Sequence, residues 1–314
     1  MKIREIASGL RFPEGPIAMD DGSVLLVEIA RGTLTRVTPD GKVTVACHMG
    51  GGPNGAAMGP DGHVYVCNNG GFEYHTESNG TFRPVSQAKD YAGGRLERVN
   101  LTTGKFERVL SEVSKVDGSK FTLKGPNDLV FDHQGGMYFT DLGKVRASEM
   151  DRGGVYYFNP GTGDAKVIAN PTLTPNGIAL SPDDKTLYYA ETEGARLWAF
   201  DLTGPGISTK LPFPSPHGGR LVAACPGGGY QRFDSIAVDA YGNIVVATLL
   251  KGGISTIAPD GTLLSFLPTH DVMTTNICFG GPNMRTAYVT LSGIGKLIAI
   301  DDWPVPGLRL AYNA

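Results

Sequence analysis

Short apolar runs alternate with polar turn clusters along the whole chain, and an apolar period of 3.6 residues is nowhere sustained. The stretch TPNGIALSPDDKTLYYA, beginning at Thr174, sets the pattern: a polar residue in a tight turn, a short apolar run, a second turn, another apolar run. It is led by Asn176, and near-copies are led by Glu14, Asn54, Asn127, Asp234 and Asn276. Eight positions after each leader stand Gly22, Gly62, Gly135, Asp184, Gly242 and Met284; in the last unit a turn residue, Asn283, comes one earlier. A constant offset with turn chemistry at its end predicts strand, β-turn, strand. The second runs (24–27, 64–66, 137–140, 187–190, 244–247 and 287–290) are rich in β-branched and aromatic residues and read as buried strands.

Further strands follow each pair. Thr33–Val37 and 42–47 flank Thr38-Pro39-Asp40-Gly41, 154–158 and 165–168 flank Asn159-Pro160-Gly161-Thr162-Gly163, and Gly253–Ile257 and 263–266 flank Pro259-Asp260-Gly261. Four antiparallel strands repeating every 40–50 residues or so are the signature of propeller blades. A fourth strand precedes each leader within the chain, and Lys2–Ala7 precedes Glu14 in the same way. The expected fold is therefore all-β: one six-bladed β-propeller domain over residues 1–314, built of four-stranded antiparallel blades, with the N-terminal strand completing the last blade and leaving no open edge. Residues 308–312 remain as a tail or an additional edge strand. The leaders are 40, 73, 49, 58 and 42 positions apart, and the excess lies in 70–94, 114–121 and 203–230. Loops this long are expected to wall or cover one face.

A net charge of −3 and a pI near 6.1 give no basic surface for nucleic acid. No run of 18 apolar residues predicts a membrane helix, and residues 1–7 lack the apolar region of a signal peptide, so a cytoplasmic protein with no membrane partner is expected. Cys47, Cys67, Cys225 and Cys278 show no CxxC spacing and read as reduced, buried strand residues. His48, His63, His75, His133, His217 and His270 lack HxH and HExxH spacing and read as surface loop residues, with contact to a substrate as the alternative for those in the insertions. Ser235 lacks the G-x-S-x-G frame of a nucleophile elbow, and Asp141, at the end of a central strand, reads as a structural hydrogen-bonding residue.

In a propeller the innermost strand of each blade lines the central channel. A residue just before that strand, at the same place in every blade, points to one mouth. Glu14, Asn54, Asn127, Asn176, Asp234 and Asn276 would then form one ring of two carboxylates and four carboxamides. One Asn-Gly alone is only a turn. Six aligned positions, two of them acidic, point to a hard-cation cage for Ca²⁺, or for Mg²⁺ or Mn²⁺.

The segments Phe12-Pro13-Glu14-Gly15-Pro16, Gly125-Pro126-Asn127-Asp128, Pro175-Asn176-Gly177 and Phe233-Asp234-Ser235 carry a resemblance over essentially the whole chain. The chain resembles the regucalcin/gluconolactonase/luciferin-regenerating enzyme family of six-bladed propellers. The resemblance implies one catalytic divalent metal in the channel, calcium first, with zinc, manganese, magnesium or iron as alternatives. It implies Glu14, Asn176 and Asp234 as metal ligands, Asn127 as a ligand or substrate contact, and Asp234 as proton acceptor and donor. Asn54 and Asn276 are then expected to line the substrate pocket. Sugar-lactonase members carry an Arg two residues before the Asn127 position, where this chain has Gly125. The insertion Phe72-Glu73-Tyr74-His75 offers aromatic surface to a less polar lactone instead. The expected activity is metal-assisted opening of a lactone, with Asp234 either a general base or only a ligand. A related esterase or phosphotriesterase, and a non-catalytic propeller pinned by its cation, are the alternatives.

Overall fold

The computed structural model describes residues 1–114 and 118–312. Six four-stranded antiparallel blades follow one another around a channel. Blade 1 runs outward from the axis as Pro13–Ala18, Val24–Glu28, Thr33–Val37 and Val43–His48. The inner strands of blades 2 to 6 are Pro53–Met58, Pro126–Phe131, Pro175–Leu180, Arg232–Val238 and Thr274–Gly280. The ring closes as the pattern predicts: Lys2–Ala7 pairs with Lys296–Asp301 as the outer strand of blade 6, with Lys2 opposite Asp301. All six residues at the constant offset take positive φ, from 55° at Asp184 to 86° at Gly135, and Met284 keeps the rule at 57° beside Asn283.

The apolar core is distributed between the blades, where each sheet face meets the next. Tyr138 and Tyr157 of blade 3 pack with Tyr189, Trp198 and Phe200 of blade 4, and Leu26 of blade 1 packs with Tyr288 and Ala299 of blade 6. Strands buried on both faces explain the near-continuous apolar runs.

The insertions differ from one another. Residues 70–94 hold a hairpin, Phe72–Thr76 with Phe82–Gln87, inserted between the second and third strands of blade 2. The hairpin leans over blade 1, with the Arg11 guanidinium 4.1 Å from the Phe82 ring centre, and it reaches blade 6 where Phe82 N donates to Gly293 O at 2.8 Å. The 203–230 insertion supplies the outer strand of blade 4, Arg220–Ala224. His217 within it is not a loose surface residue. It accepts or donates at 2.8 Å to the Tyr189 hydroxyl and meets the Trp198 ring at 4.5 Å, and burial holds its imidazole down to about 4. The expected 114–121 loop is a short hairpin, Glu112–Ser114 with Lys120–Thr122, whose tip at 115–117 lies outside the described residues.

Residues 308–312 form no edge strand. Leu308 N donates to Val238 O at 2.9 Å, and Tyr312 lays its ring 5.8 Å from Phe131, so the segment crosses one mouth of the channel. Cys47, Cys67 and Cys278 occupy strands as expected, whereas Cys225 is exposed just beyond one. Among the described residues no helix is long and apolar enough to cross a membrane.

Candidate active site

The six leaders lie inside the inner strands, not just before them: Glu14, Asn54, Asn127 and Asn176 are second residues, and Asp234 and Asn276 are third. In every blade the pairing register slips at this place, as between Glu14 and Ile17 in blade 1 and between Phe233 and Ile236 in blade 5. Such a break bends the strand and re-aims its side chains. The strands also approach closely here. A Cβ on Gly15, whose φ is 50°, would stand 2.5 Å from Asn54 O, so only glycine permits the contact.

In blades 1, 2 and 3 the segment before the leader is tied down from behind. Glu28 accepts from Arg11 N at 2.7 Å, the Asn68 side-chain oxygen from Gly52 N at 2.9 Å, and Asp141 from Lys124 N and Gly125 N, both at 2.7 Å. These groups end the second strands of blades 1, 2 and 3, and Asp141 has the structural role its position suggests. Gly125 is fixed so close to Gly143 O, 2.2 Å from an added Cβ, that no side chain fits in this loop. The departure from the sugar-binding arginine is thus built into the backbone.

A cavity of about 530 Å³ opens above the ring. Glu14, Asn54, Asn127, Asn176 and Asp234 form its floor, and Phe72, Phe12, Val85, Leu142, Val145 and Met273 contribute apolar wall. Three expected substrate contacts are placed differently. Asn276 lies beneath the floor, where its amide donates to Glu14 Oε2 and to Ser235 Oγ at 2.8 Å each and accepts from Ile277 N at 2.7 Å. Its full set of bonds makes it a support for Glu14. Tyr74 stacks on Phe82 at 4.6 Å, behind Phe12, with its hydroxyl buried and unpartnered among the described residues. His75 leaves the opposite face of the hairpin, exposed, with Nε2 3.9 Å from Glu77. Alternation along a strand accounts for this, since Phe72 and Tyr74 share one face and His75 takes the other.

Electrostatics single out the floor. Burial raises the Glu14 carboxyl to about 7; hydrogen bonds from Asn276 and Thr275 oppose the rise and the charge of Asp128 adds to it. Asp234 is pushed well above the usual carboxylate range by burial and then by Glu14 and Asp128, against the neighbouring Asn176 amide. Asp128, absent from the sequence-based site, is the third buried carboxyl and lies beneath the floor, where with Asn276 it lines a smaller space on the other side. Burial lifts it to about 7, although Leu129 N donates to it at 2.9 Å and Ser235 hydrogen-bonds to it. Its signal was present in the alignment. The residue after the leader is glycine in blades 1, 2 and 4 (Gly15, Gly55, Gly177), but Asp128 in blade 3 and Ser235 in blade 5.

Buried like charges this close resist ionising together unless a cation offsets them. None of the five floor residues is basic, and the two arginines of the cavity lining, Arg83 and Arg232, are paired with Glu77 and Glu193. Asn176 donates through Nδ2 to Thr192 Oγ1 at 3.0 Å, and its buried Oδ1 has no hydrogen-bond partner among the described residues. An orphaned oxygen beside two uncompensated carboxylates fits a hard divalent cation. No three His, Cys, Asp or Glu side chains form a ligand cluster among the described residues, so a cation here depends on amide oxygens, which disfavours soft metals.

Comparisons with known proteins identify the family. Residues 12–293 match the pattern of the SMP-30/gluconolactonase/LRE-like region. A gluconolactonase from Zymomonas mobilis is 26% identical over 317 aligned positions, covering 92% of this chain and 79% of that protein. The lactonase drp35 of Staphylococcus saprophyticus is 29% identical over 74% of this chain, which spans 62% of the relative's length. The solved structure of regucalcin from Agrobacterium tumefaciens, described as a calcium-binding protein, superposes with a TM-score of 0.67 at 18% identity, covering 96% of this chain and 95% of that one. With the motif residues at the channel mouth and the family pattern running through all six blades, the chain belongs to the SMP-30/gluconolactonase/LRE-like family.

Proposed function

We propose that the protein is a metal-dependent lactone hydrolase working at the floor of the 530 Å³ cavity. The observation that carries the reading is the buried Asn176 Oδ1, left without a partner beside Glu14 and Asp234 at the base of an open pocket. A scaffold whose cation only pins the blades calls for a mouth filled by large side chains; the open cavity beside Asp234 favours an enzyme. The gluconolactonase and lactonase relatives favour a lactone over a phosphotriester.

Glu14, Asn127, Asn176 and Asp234 would hold the cation, with calcium favoured by the oxygen donors. A bound divalent ion supplies Lewis-acid polarisation of a carbonyl and lowers the pKa of water. The chain's own residues do the rest. Asn276 orients Glu14 through the 2.8 Å bond to Oε2. Asp234 accepts the proton of the attacking water and returns it to the ring alkoxide that leaves. A positioned base of this kind contributes about 10²–10⁴-fold. Asp128, raised to about 7 by burial, lies below the reacting centre and its charge adds to the rise at Glu14 and Asp234. Asn54 and Phe72 face the bound lactone from two sides of the cavity.

The test is turnover of aldono-, alkyl- and aryl-lactones by metal-stripped protein, with ions restored singly. Hydrolysis that returns with calcium or another divalent ion is the expected result, and no turnover with any ion sinks the reading.

A further inference from the structure

Lys144 is a lysine only 1% exposed, and the partners of its tip are a backbone and an amide oxygen. The side chain leaves the blade 3 loop that follows Asp141 and runs under the blade 2 hairpin. Its Nζ donates to Gly71 O at 3.0 Å and approaches Asn69 Oδ1 at 3.5 Å. It also stands 4.2 Å from the Phe72 ring centre and 5.1 Å from that of Tyr91.

Both ends of this bridge are anchored. On the blade 3 side, Lys144 N donates to Asp151 Oδ2 at 3.2 Å, Asp151 N returns a bond to Lys144 O at 2.9 Å, and Gly143 N donates to Asp141 at 2.8 Å. On the blade 2 side, Asn69 N is tied to Gly52 O at 2.8 Å, and the Tyr91 hydroxyl donates to Lys124 O at 2.7 Å. The two anchored segments each contribute to the cavity wall: Phe72 from blade 2, Leu142 and Val145 from blade 3. A methionine would fill the same space. An ammonium instead provides donors for a carbonyl and an amide oxygen, and an attraction to two ring faces.

We propose that Lys144 is a positioning residue that fixes the Phe72 wall against the blade 3 wall, and so sets how tightly the non-reacting side of the lactone is held. The proposal deepens the hydrolase reading and rests on it for the substrate. Lys144 does not reach the floor, so it acts through Phe72 and not on the reacting atoms. Burial pulls the amine down to about 7, while Asp141 and Asp151 oppose that pull, so the contact is strongest while the amine keeps its proton.

The experiment compares wild type, Lys144→Met, Phe72→Leu and the double variant on the best lactone from the panel, with amide hydrogen exchange over residues 69–88. Lys144→Met is expected to raise KM about tenfold, the scale of a lost buried cation–π contact and hydrogen bond, with kcat within about twofold. The double variant is expected to be no worse in KM than Phe72→Leu, because the two residues act as one unit. Should Lys144→Met fail to fold, Lys144→Gln, which retains a donor for Gly71 O, is expected to raise KM about threefold with kcat kept. A fall in kcat at constant KM, an unchanged KM, or additive effects in the double variant would overturn the proposal. If wild type hydrolyses no lactone, the hydrolase reading fails by itself. Hydrogen exchange still decides the bridge: faster exchange confined to 69–88 supports it, and unchanged exchange there overturns it.

Discussion

The same six inner strands line both ends of the channel, and the two ends are opposites. Toward their starts they present Glu14, Asn54, Asn127, Asn176 and Asp234 to a cavity of about 530 Å³. Toward their ends they present Ile17, Val130, Phe131, Leu180 and Phe279 to a space of about 110 Å³, closed by Leu308, Leu310 and Tyr312. One end leaves carboxylates without counter-charge and an amide oxygen without a donor; the other is closed by apolar contact, with Asp128 and Asn276 only where it backs onto the floor. Unpaired polar groups in a buried site cost stability, and such cost concentrates where a ligand is to be met. The contrast along a single strand, within about 20 Å of chain, separates what holds the propeller together from what it is for.

The largest expected effect breaks the polar end. Asp234→Ala should lower kcat/KM on a turned-over lactone by about 10³-fold or more, with the fold kept, since a floor residue and not a core residue is removed. Activity within a factor of a few of wild type would remove Asp234 from the site. Its companion sharpens the apolar end. Phe131 is 5% exposed, meets the Tyr65 ring edge-to-face at 5.2 Å, and lies four residues beyond Asn127. Phe131→Ala should cost about 3–5 kcal/mol in denaturant unfolding, while kcat/KM in the folded fraction stays unchanged. A lost activity with intact stability there would erase the division between the ends.

The fold was legible because its signal is repeated. Eight residues from leader to turn, six times over, fixes strand lengths and turn sites together, and even Met284 obeys with its left-handed backbone. The leaders were legible for the same reason. What escaped was whatever depends on the twist and register of one strand against its neighbour. The register slip re-aims Asn276 downward to Glu14, which no spacing rule encodes, whereas Asp128 is visible in the sequence only as a break in the glycine that follows three of the leaders. The hairpin of residues 72–87 was expected to bring aromatic surface, and Phe72 does so. His75 was grouped with it by adjacency in sequence, although a strand turns adjacent residues to opposite faces. Lys144 carried no motif at all, because its role depends on where an insertion from another blade comes to rest.

A smaller effect tests the orphaned oxygen. Asn176→Ala deletes the orphaned oxygen together with the Nδ2 bond to Thr192, so the metal-stripped protein should lose only the about 0.5–1.5 kcal/mol of one hydrogen bond. Calcium affinity by isothermal titration calorimetry should fall about 10–100-fold. The comparison at the other end is Tyr312→Phe, which leaves the affinity as it was. Equal affinities for Asn176→Ala and wild type would show that no cation uses the floor.

The subtlest difference is in the response to pH, because the buried carboxyls are gathered at the floor of the open cavity and, with Asp128, just beneath it, and not along the apolar strand ends. Glu14 is lifted from 4.5 to about 7 in the folded state, and Asp128 from 3.8 to about 7. Below their unfolded values both states carry the protons, and the raised pKa contributes its full stabilisation. From there to about pH 7 the folded protein keeps protons that the unfolded chain gives up, so stability falls as pH rises through this window. His217, lowered from 6.5 to about 4, contributes the opposite slope from another blade, so the whole-protein curve mixes the two. The difference between metal-stripped wild type and Glu14→Gln isolates the floor. Glu14→Gln should lose part of the downward slope and gain relative stability above about pH 7, where the wild type must ionise a buried carboxyl beside Asp234. Saturating calcium should reduce the wild-type slope, since a cation favours the ionised carboxylates that protons otherwise compete for. Parallel unfolding curves for the two proteins across this window, with and without calcium, would mean that Glu14 titrates as an ordinary surface acid and that the two ends of the channel do not differ in charge.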